Sequence, residues 1–366
     1  MQKEDSDCEG DIKMEFRFSE EQEIIKKSVR IFFEEQCSID KVKKFLQSDR
    51  GYSSELYKEL ADLGFLGITI PEEFGGSGGS LLDLVILYKE IGRSLFPSPH
   101  FDTVVLSSYL INKYGNDEQK KLLSKIAKGE VTISFAHLDD EQLPVKTAVV
   151  DDKIIVNGRK LFVNFANSCN YYLLSNRGIT VLIESSKGGI SLEPISVIGL
   201  EKSFSVSFYN VEVDKSNVIK GDSDIFDDVW QRGKILSSAE MIGGAERVLE
   251  WAIEYAKQRI QFGRPIGSFQ AIQHMLSDVA MNIEGANLLL YESCWAYDNN
   301  KNFEELASMS KFWANKVYYQ ATKTTHQVLG GFGFMEETNM HLYYRKAKSL
   351  EINRGKTCEE VENIIK

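Results

Sequence analysis

The sequence predicts an α+β chain, mainly α, laid out in the order helices, strands, helices. Three observations predict it. Apolar residues recur at spacings of three and four in the first third and in the last 140 or so residues. Between about Glu130 and Lys220 that period gives way to short β-type runs, and clusters of Gly, Pro, Asn and Asp punctuate the joins.

The acidic opening Met1 to Asp11 is the opposite of a basic signal-peptide start, and residues 1–13 read as a disordered extension ahead of Met14. Residues 14–128 read as an N-terminal helical domain. Ser19 followed by Glu20, Glu21 and Gln22 is a helix start with acid in the first turn, and Leu56, Leu60 and Leu63 recur at helical spacing. The one conspicuous break is Pro71 to Ser80, with four glycines near a proline. A phosphate-binding loop of the Walker type is excluded there, because no Gly-Lys-Ser/Thr follows.

Residues 129–220 read as a middle β-domain, with strands at Thr147–Val150, Lys153–Val156, Lys160–Val163, Tyr171–Leu174 and Thr180–Ile183. Val156-Asn157-Gly158-Arg159 predicts a two-residue hairpin, and Asp151-Asp152 marks a turn before it. Residues 221–366 return to helices: Ala239–Ala256, then Ser268–Asp298 with Phe269, Ile272, Leu276, Val279 and Ile283 on one face, then Phe303–Leu329. Gly330-Gly331-Phe332-Gly333 interrupts that series.

The whole-chain properties narrow the classes of function. A net charge of -11 over 366 residues argues against a nucleic-acid surface, while leaving room for a local basic pocket. Five scattered cysteines without Cys-x-x-Cys spacing suggest neither a disulfide frame nor a zinc site, and are expected as reduced thiols in a cytoplasm. No apolar run approaches the roughly 20 residues of a membrane span, so no membrane span and a cytoplasmic location are expected.

The stretch Tyr255 to His274 joins two helical segments through a polar turn bearing Arg259, Gln261 and Arg264, donors suited to a phosphate or pyrophosphate. Taken from composition alone it is a helix hairpin with solvated basic residues. Its string Arg-x-Gln-Phe-Gly-x-Pro-Ile-x-x-Phe-Gln-Ala-Ile-Gln-His resembles the signature of the flavin-dependent acyl-CoA dehydrogenases, and the resemblance extends from about Met14 to Lys366. It implies that family's three-part plan, with a middle β-barrel or sandwich and a C-terminal four-helix bundle, and makes Pro71–Ser80 a structural connection. Gly92 to Pro99 and the compact C-terminus are similar to short bacterial members that work as paired, unlike subunits.

The resemblance also implies FAD shared between subunits. Arg259, Phe262 and Gln270 match residues that meet the pyrophosphate and adenine end of a neighbour's flavin, and Gln327, Gly330 and Gly331 match a block lying against the pyrophosphate. In the β-domain, Phe162 matches the aromatic residue and Asn164 the hydrogen-bonding residue near the isoalloxazine. The family's usual Thr-Glu-Pro loop is replaced by Ala136-His-Leu-Asp-Asp140.

The implied activity is α,β-oxidation of an acyl-CoA thioester, with hydride passing to flavin N5 and electrons onward to an electron-transferring flavoprotein. Such chemistry needs a base for the α-proton, usually a carboxylate in a dry pocket. The common base position matches Arg354 and the minority position matches Gly233, so neither carries a carboxylate. The resemblance implies a homo- or heterotetramer with a related dehydrogenase subunit, and three readings of the base stay open: the chain is one subunit of a heteromeric dehydrogenase whose partner supplies it; a displaced acid, Glu240 or Glu351, serves; or the fold does other work, as a non-catalytic flavin- or CoA-binding subunit or with other chemistry such as desulfination. Glu240 reads more simply as a buried acid paired with a basic neighbour. Lys234 and Arg354, with Arg232, are candidate ligands for a substrate carboxylate or the CoA phosphates.

Overall fold

Residues 17–176, 178–219 and 225–365 are described by the computed structural model, so the 1–13 extension lies outside them. Helices α1 (Glu20–Gln36), α2 (Ile39–Gln47), α3 (Ser54–Asp62), α4 (Leu81–Ser94), α5 (Tyr109–Tyr114) and α6 (Asp117–Ala127) form the first part. Ser19 starts α1 with a capping box, its hydroxyl accepting from Gln22 N–H while the Gln22 side chain accepts from Ser19 N–H. The glycine-rich loop 71–80 folds back on the chain: Ser77, Gly78 and Gly79 N–H donate to the carbonyls of Gly67, Ile70 and Ile68. Its amides are therefore spent internally, as befits a connector.

Phe101–Ser108 forms a π-helix before α5. The widened turn is locked by Arg232, which is buried and donates to the Val105 carbonyl and to Thr69 Oγ1 (3.0 Å) with its guanidinium over the Tyr109 ring. Arg232 is thus a structural group, occupied within the chain.

The strands are β1 (Ile133–Ala136), β2 (Leu138–Asp139), β3 (Lys146–Val150), β4 (Lys153–Asn164), β5 (Tyr171–Asn176), β6 (Ile179–Glu184), β7 (Ile190–Ile195), β8 (Ser203–Asp214) and β9 (Val218–Ile219). They make two sheets, ordered β1-β5-β6-β9 and β2-β4-β8-β7, with β3 added against β4. The two sheets enclose a separate apolar core that includes Val156, Val206 and Phe208.

One expectation needs correction. Asn157-Gly158 does not turn a hairpin, because β4 runs unbroken from Lys153 to Asn164 beside β8. The pairing register instead shifts between Val156 and Gly158, a β-bulge with Gly158 at φ +126. A Cβ there would lie 2.6 Å from Val145 Cα, so glycine is required by close backbone approach. The true hairpin turn is Asp151-Asp152, between β3 and β4. A second register shift, between Lys160 and Val163, places Phe162 at φ +54 and turns its ring out of the sheet, 40% exposed.

The last part holds α7 (Ile225–Gln258), α8 (Gln270–Asp298), α9 (Glu304–Leu329), α10 (Met340–Asn353) and α11 (Thr357–Ile365), with the small hairpin β10 (Ile260–Gln261) and β11 (Arg264–Pro265) between α7 and α8. Helix α7 begins at Ile225, inside the part expected to return to helices, and takes in the expected Ala239–Ala256 segment as its second half. These helices share one apolar core with the first part. Helices α4 and α7 cross in backbone contact at two reciprocal glycines: a Cβ on Gly92 would run into the Glu240 carbonyl, and one on Gly243 into the Lys89 carbonyl. Among the described residues, no helix is long and apolar enough to cross a membrane.

Candidate active site

A cavity of about 500 Å³ opens where the π-helix, the β-domain and the α10–α11 turn meet. Phe101, Asp102 and Leu106 face it from the π-helix, Phe135, His137, Phe162 and Asn164 from the strands, and Trp230 from α7. The end of α10 contributes Ile352 and Asn353, and the turn after it Arg354. One wall is an aromatic cluster: His137 lies 5.2 Å from Trp230 and 5.7 Å from Phe135, centroid to centroid. Burial pushes the His137 imidazole down to about 4, so this ring is neutral at ordinary pH.

Arg354 sits at the position expected of the base. Its guanidinium lies 3.5 Å from the Phe101 ring centroid and its Nη1 donates to Glu240 Oε2 at 2.6 Å. The other Glu240 oxygen meets Lys346 Nζ at 2.7 Å, and Lys346 also pairs with Glu201. Two cations and two anions thus alternate in a chain that runs from Arg354, on the cavity wall, into the interior behind it, and both Glu240 oxygens are committed. For Glu201 burial alone would raise the pKa, but the Lys346 and Arg354 charges outweigh it and hold the carboxyl down at about 2. Lys311, wholly buried, braces the same turn by donating to the carbonyls of Leu350 (3.3 Å) and Gly355 (3.2 Å).

The other expected groups fall elsewhere. A Cβ on Gly233 would lie 3.1 Å from Leu106 Cδ2 and 3.5 Å from Phe101 Cζ, so the space of a side chain there is already filled. Glu351 turns away from the cavity to Lys348 (2.8 Å) and the Thr357 hydroxyl (2.9 Å). Lys234 is buried against Glu360 (2.9 Å) and Ser308 (3.2 Å) and does not line the cavity. Of the two candidate substrate ligands, Arg354 alone faces the cavity, and it does so already paired.

The signature face lies apart from this cavity's walls. Phe262 is 93% exposed at φ +53, touching Phe269 edge to face, and Arg264 lies over the Phe269 ring at 4.1 Å. Among the described residues, the side chains of Arg259 and Gln270 make no hydrogen bond or ion pair. Gly330, at φ +62, and Gly331 have open space where a Cβ would stand. Free cationic and amide donors beside bare backbone are what a pyrophosphate needs, so the residues present fit FAD.

Sequence reasoning missed Phe101, Asp102, His137 and Trp230. Asp102 is buried in a run that reads as apolar, and its single hydrogen bond among the described residues is to Phe135 N–H, accepted by Oδ2 at 3.3 Å. Burial raises its carboxyl to about 7, against the opposing pull of the Arg354 charge and that N–H.

Comparison with known proteins agrees with this architecture. Residues 19–130 match the family described as acyl-CoA dehydrogenase, N-terminal domain, and residues 228–365 the acyl-CoA dehydrogenase, C-terminal domain. Subunit CarC of the caffeyl-CoA reductase-Etf complex of Acetobacterium woodii is 31% identical, covering 92% of this chain and 95% of that one. A 3-(aryl)acrylate reductase of Clostridium sporogenes is 29% identical over 95% of this chain and 98% of its own. The structure of butyryl-CoA dehydrogenase from Megasphaera elsdenii superposes with a TM-score of 0.87 at 25% identity, over 96% of this chain and 98% of that one. The fold is that of an acyl-CoA-oxidising flavoprotein. The chain belongs to the acyl-CoA dehydrogenase family, its cofactor is FAD, and it is an oxidoreductase of that class.

Proposed function

We propose that this chain is one subunit of a heteromeric FAD-dependent acyl-CoA dehydrogenase, in which a related partner chain supplies the catalytic base. A single observation carries the reading: the slot expected to hold the base holds Arg354, neutralised by Glu240 at 2.6 Å. Arginine keeps its protons throughout the working pH range and takes none from a substrate carbon. Glu240 is no substitute, since two cations engage its two oxygens.

When bound, FAD supplies the hydride acceptor for α,β-oxidation of the thioester. This chain's part is to hold it. Arg259, in the turn between α7 and α8, and Gln270, at the start of α8, would hold the pyrophosphate together with Gln327 and the bare backbone of Gly330 and Gly331, and Phe262 would meet the adenine end. In a related partner these groups would complete a cavity that carries its own carboxylate. Phe162 and Asn164, which line this chain's own cavity, would be the groups beside the ring there. The A. woodii relative is named as a subunit of an Etf complex, which supports an electron-transferring flavoprotein as acceptor.

The test is expression of the chain alone and together with a related dehydrogenase chain from the same genome. Alone it should bind little flavin and leave acyl-CoA unoxidised in the presence of an artificial acceptor; together, the pair should be yellow and active. Turnover by the chain alone would overturn the proposal. A yellow pair without turnover on any acyl-CoA would instead favour a non-catalytic flavin-binding role.

A further inference from the structure

If the partner's carboxylate does the chemistry, this chain's own cavity is left with an acyl-sized space and no base. Its polar equipment is nevertheless particular. Asp102 and Arg354 both line it, and Arg354 covers the ring of Phe101, the residue before Asp102, at 3.5 Å. Asp102 is buried but not ion-paired with Arg354, and one of its oxygens has no partner among the described residues. Asp102 lines the cavity and its second oxygen is not among the sealed, partnerless atoms of the interior, so that oxygen is available to a polar group of a ligand.

We propose that this cavity binds an acyl thioester bearing a hydroxyl group on its acyl chain, and that Asp102, seconded by Arg354, is the residue that selects the hydroxyl. The inference rests on the reading that the cavity is the acyl pocket of the family fold.

The chemistry of the pair argues for a hydroxyl over other groups. A neutral Asp102 donates to a hydroxyl oxygen, and an ionised one accepts the hydroxyl proton, so a hydroxyl is satisfied in either state. A carbonyl pairs only with the neutral form. A carboxylate would be drawn to Arg354 but repelled by Glu240 behind it and by ionised Asp102 beside it. The other titratable groups on the walls are neutral His137, and Lys356 and Glu359. The remaining walls, Phe101, Leu106, Phe135 and Trp230, suit the carbon skeleton. Because the carbons next to the thioester must lie toward Phe162 and Asn164, the hydroxyl belongs beyond the β-carbon.

The experiment measures equilibrium binding to the FAD-loaded assembly, without electron acceptor. Butyryl-CoA and hexanoyl-CoA are compared with 4-hydroxybutyryl-CoA and 6-hydroxyhexanoyl-CoA. The wild-type assembly should contain a class of sites preferring the better hydroxylated ligand by about tenfold, the worth of one buried hydrogen bond. Asp102→Leu should abolish that preference while leaving affinity for the plain thioesters within about twofold, and Asp102→Asn, which still donates and accepts, should keep most of it. Since the substitution touches this chain alone, the partner's cavity is unaffected. Equal binding of plain and hydroxylated ligands by wild type, or a preference that survives Asp102→Leu, would overturn the inference. Turnover of plain acyl-CoA with an acceptor, measured on the same assembly, reports separately on the proposed subunit role: it can hold while the Asp102 preference fails, and fail while the preference holds.

Discussion

The signature face at 255–274 and the row of charges behind Arg354 are built on opposite principles. On the face, Arg259 and Gln270 stand without a hydrogen-bonding or ionic partner among the described residues, and Phe262 is almost wholly exposed. In the row, Glu201, Lys346, Glu240 and Arg354 alternate in sign and satisfy one another. Side chains left open are shaped for something outside the chain, whereas side chains closed on each other are shaped for the fold. The difference teaches that the residues naming a cofactor and the residue at the expected base position can part company: here Phe262 stands open, while Arg354 is closed into a chain of ion pairs.

Breaking the closed region should have the largest effect. Glu240→Gln leaves Arg354 and Lys346 with an uncharged neighbour in a buried site, and should cost about 3–5 kcal/mol in urea unfolding. The open region should behave in the reverse manner. Arg259→Ala should weaken FAD retention by roughly tenfold to a hundredfold, as expected for a charged phosphate contact, with the unfolding midpoint of the flavin-free chain unmoved.

A pH series sharpens the contrast at Asp102. Burial lifts its carboxyl from the ordinary 3.8 to about 7 in the fold, so the native state holds that proton more tightly than the unfolded chain. Its contribution is fully present below pH 3.8 and is lost as pH rises through 7. Asp102→Asn should therefore gain stability relative to wild type across that window, by less than the Glu240 effect, as read from urea midpoints. The Glu201 carboxyl runs the other way: held at about 2 against an ordinary 4.5, it lends stability above pH 4.5 that is lost as pH falls toward 2. The smallest effect belongs to Glu351, whose partly exposed pair with Lys348 is worth no more than about 0.5 kcal/mol. Glu351→Gln should leave turnover of the assembly unchanged.

The helical, β, helical plan was legible because helical and strand periods are local properties of the chain. The cofactor was legible because the signature is one unbroken string. The pairing of Glu240 was foreseeable in kind, since a buried acid needs a cation, but its partners Lys346 and Arg354 lie more than a hundred residues onward and nothing local points to them. Asn157-Gly158 misled because the same dipeptide suits a hairpin turn and a bulge, and only the packing of Val145 against Gly158 decides between them. Asp102 was invisible for a different reason: one acid in an apolar run looks like a helix-surface residue, and the π-turn that swings it inward leaves no mark in composition.

The reciprocal glycine crossing of α4 and α7 carries a mechanical consequence. With Gly92 seated on the Glu240 carbonyl and Gly243 on the Lys89 carbonyl, the two helices mesh like a dovetail, and sliding one past the other would drive backbone into backbone. The helical parts therefore act as a single anvil. Any widening that admits a bulky ligand falls to the β2-β4-β8-β7 side of the β-domain, which brings Phe162 and Asn164 to the cavity, because β1, β5 and β6 are tied into the helical core through Ile133, Leu173 and Leu182.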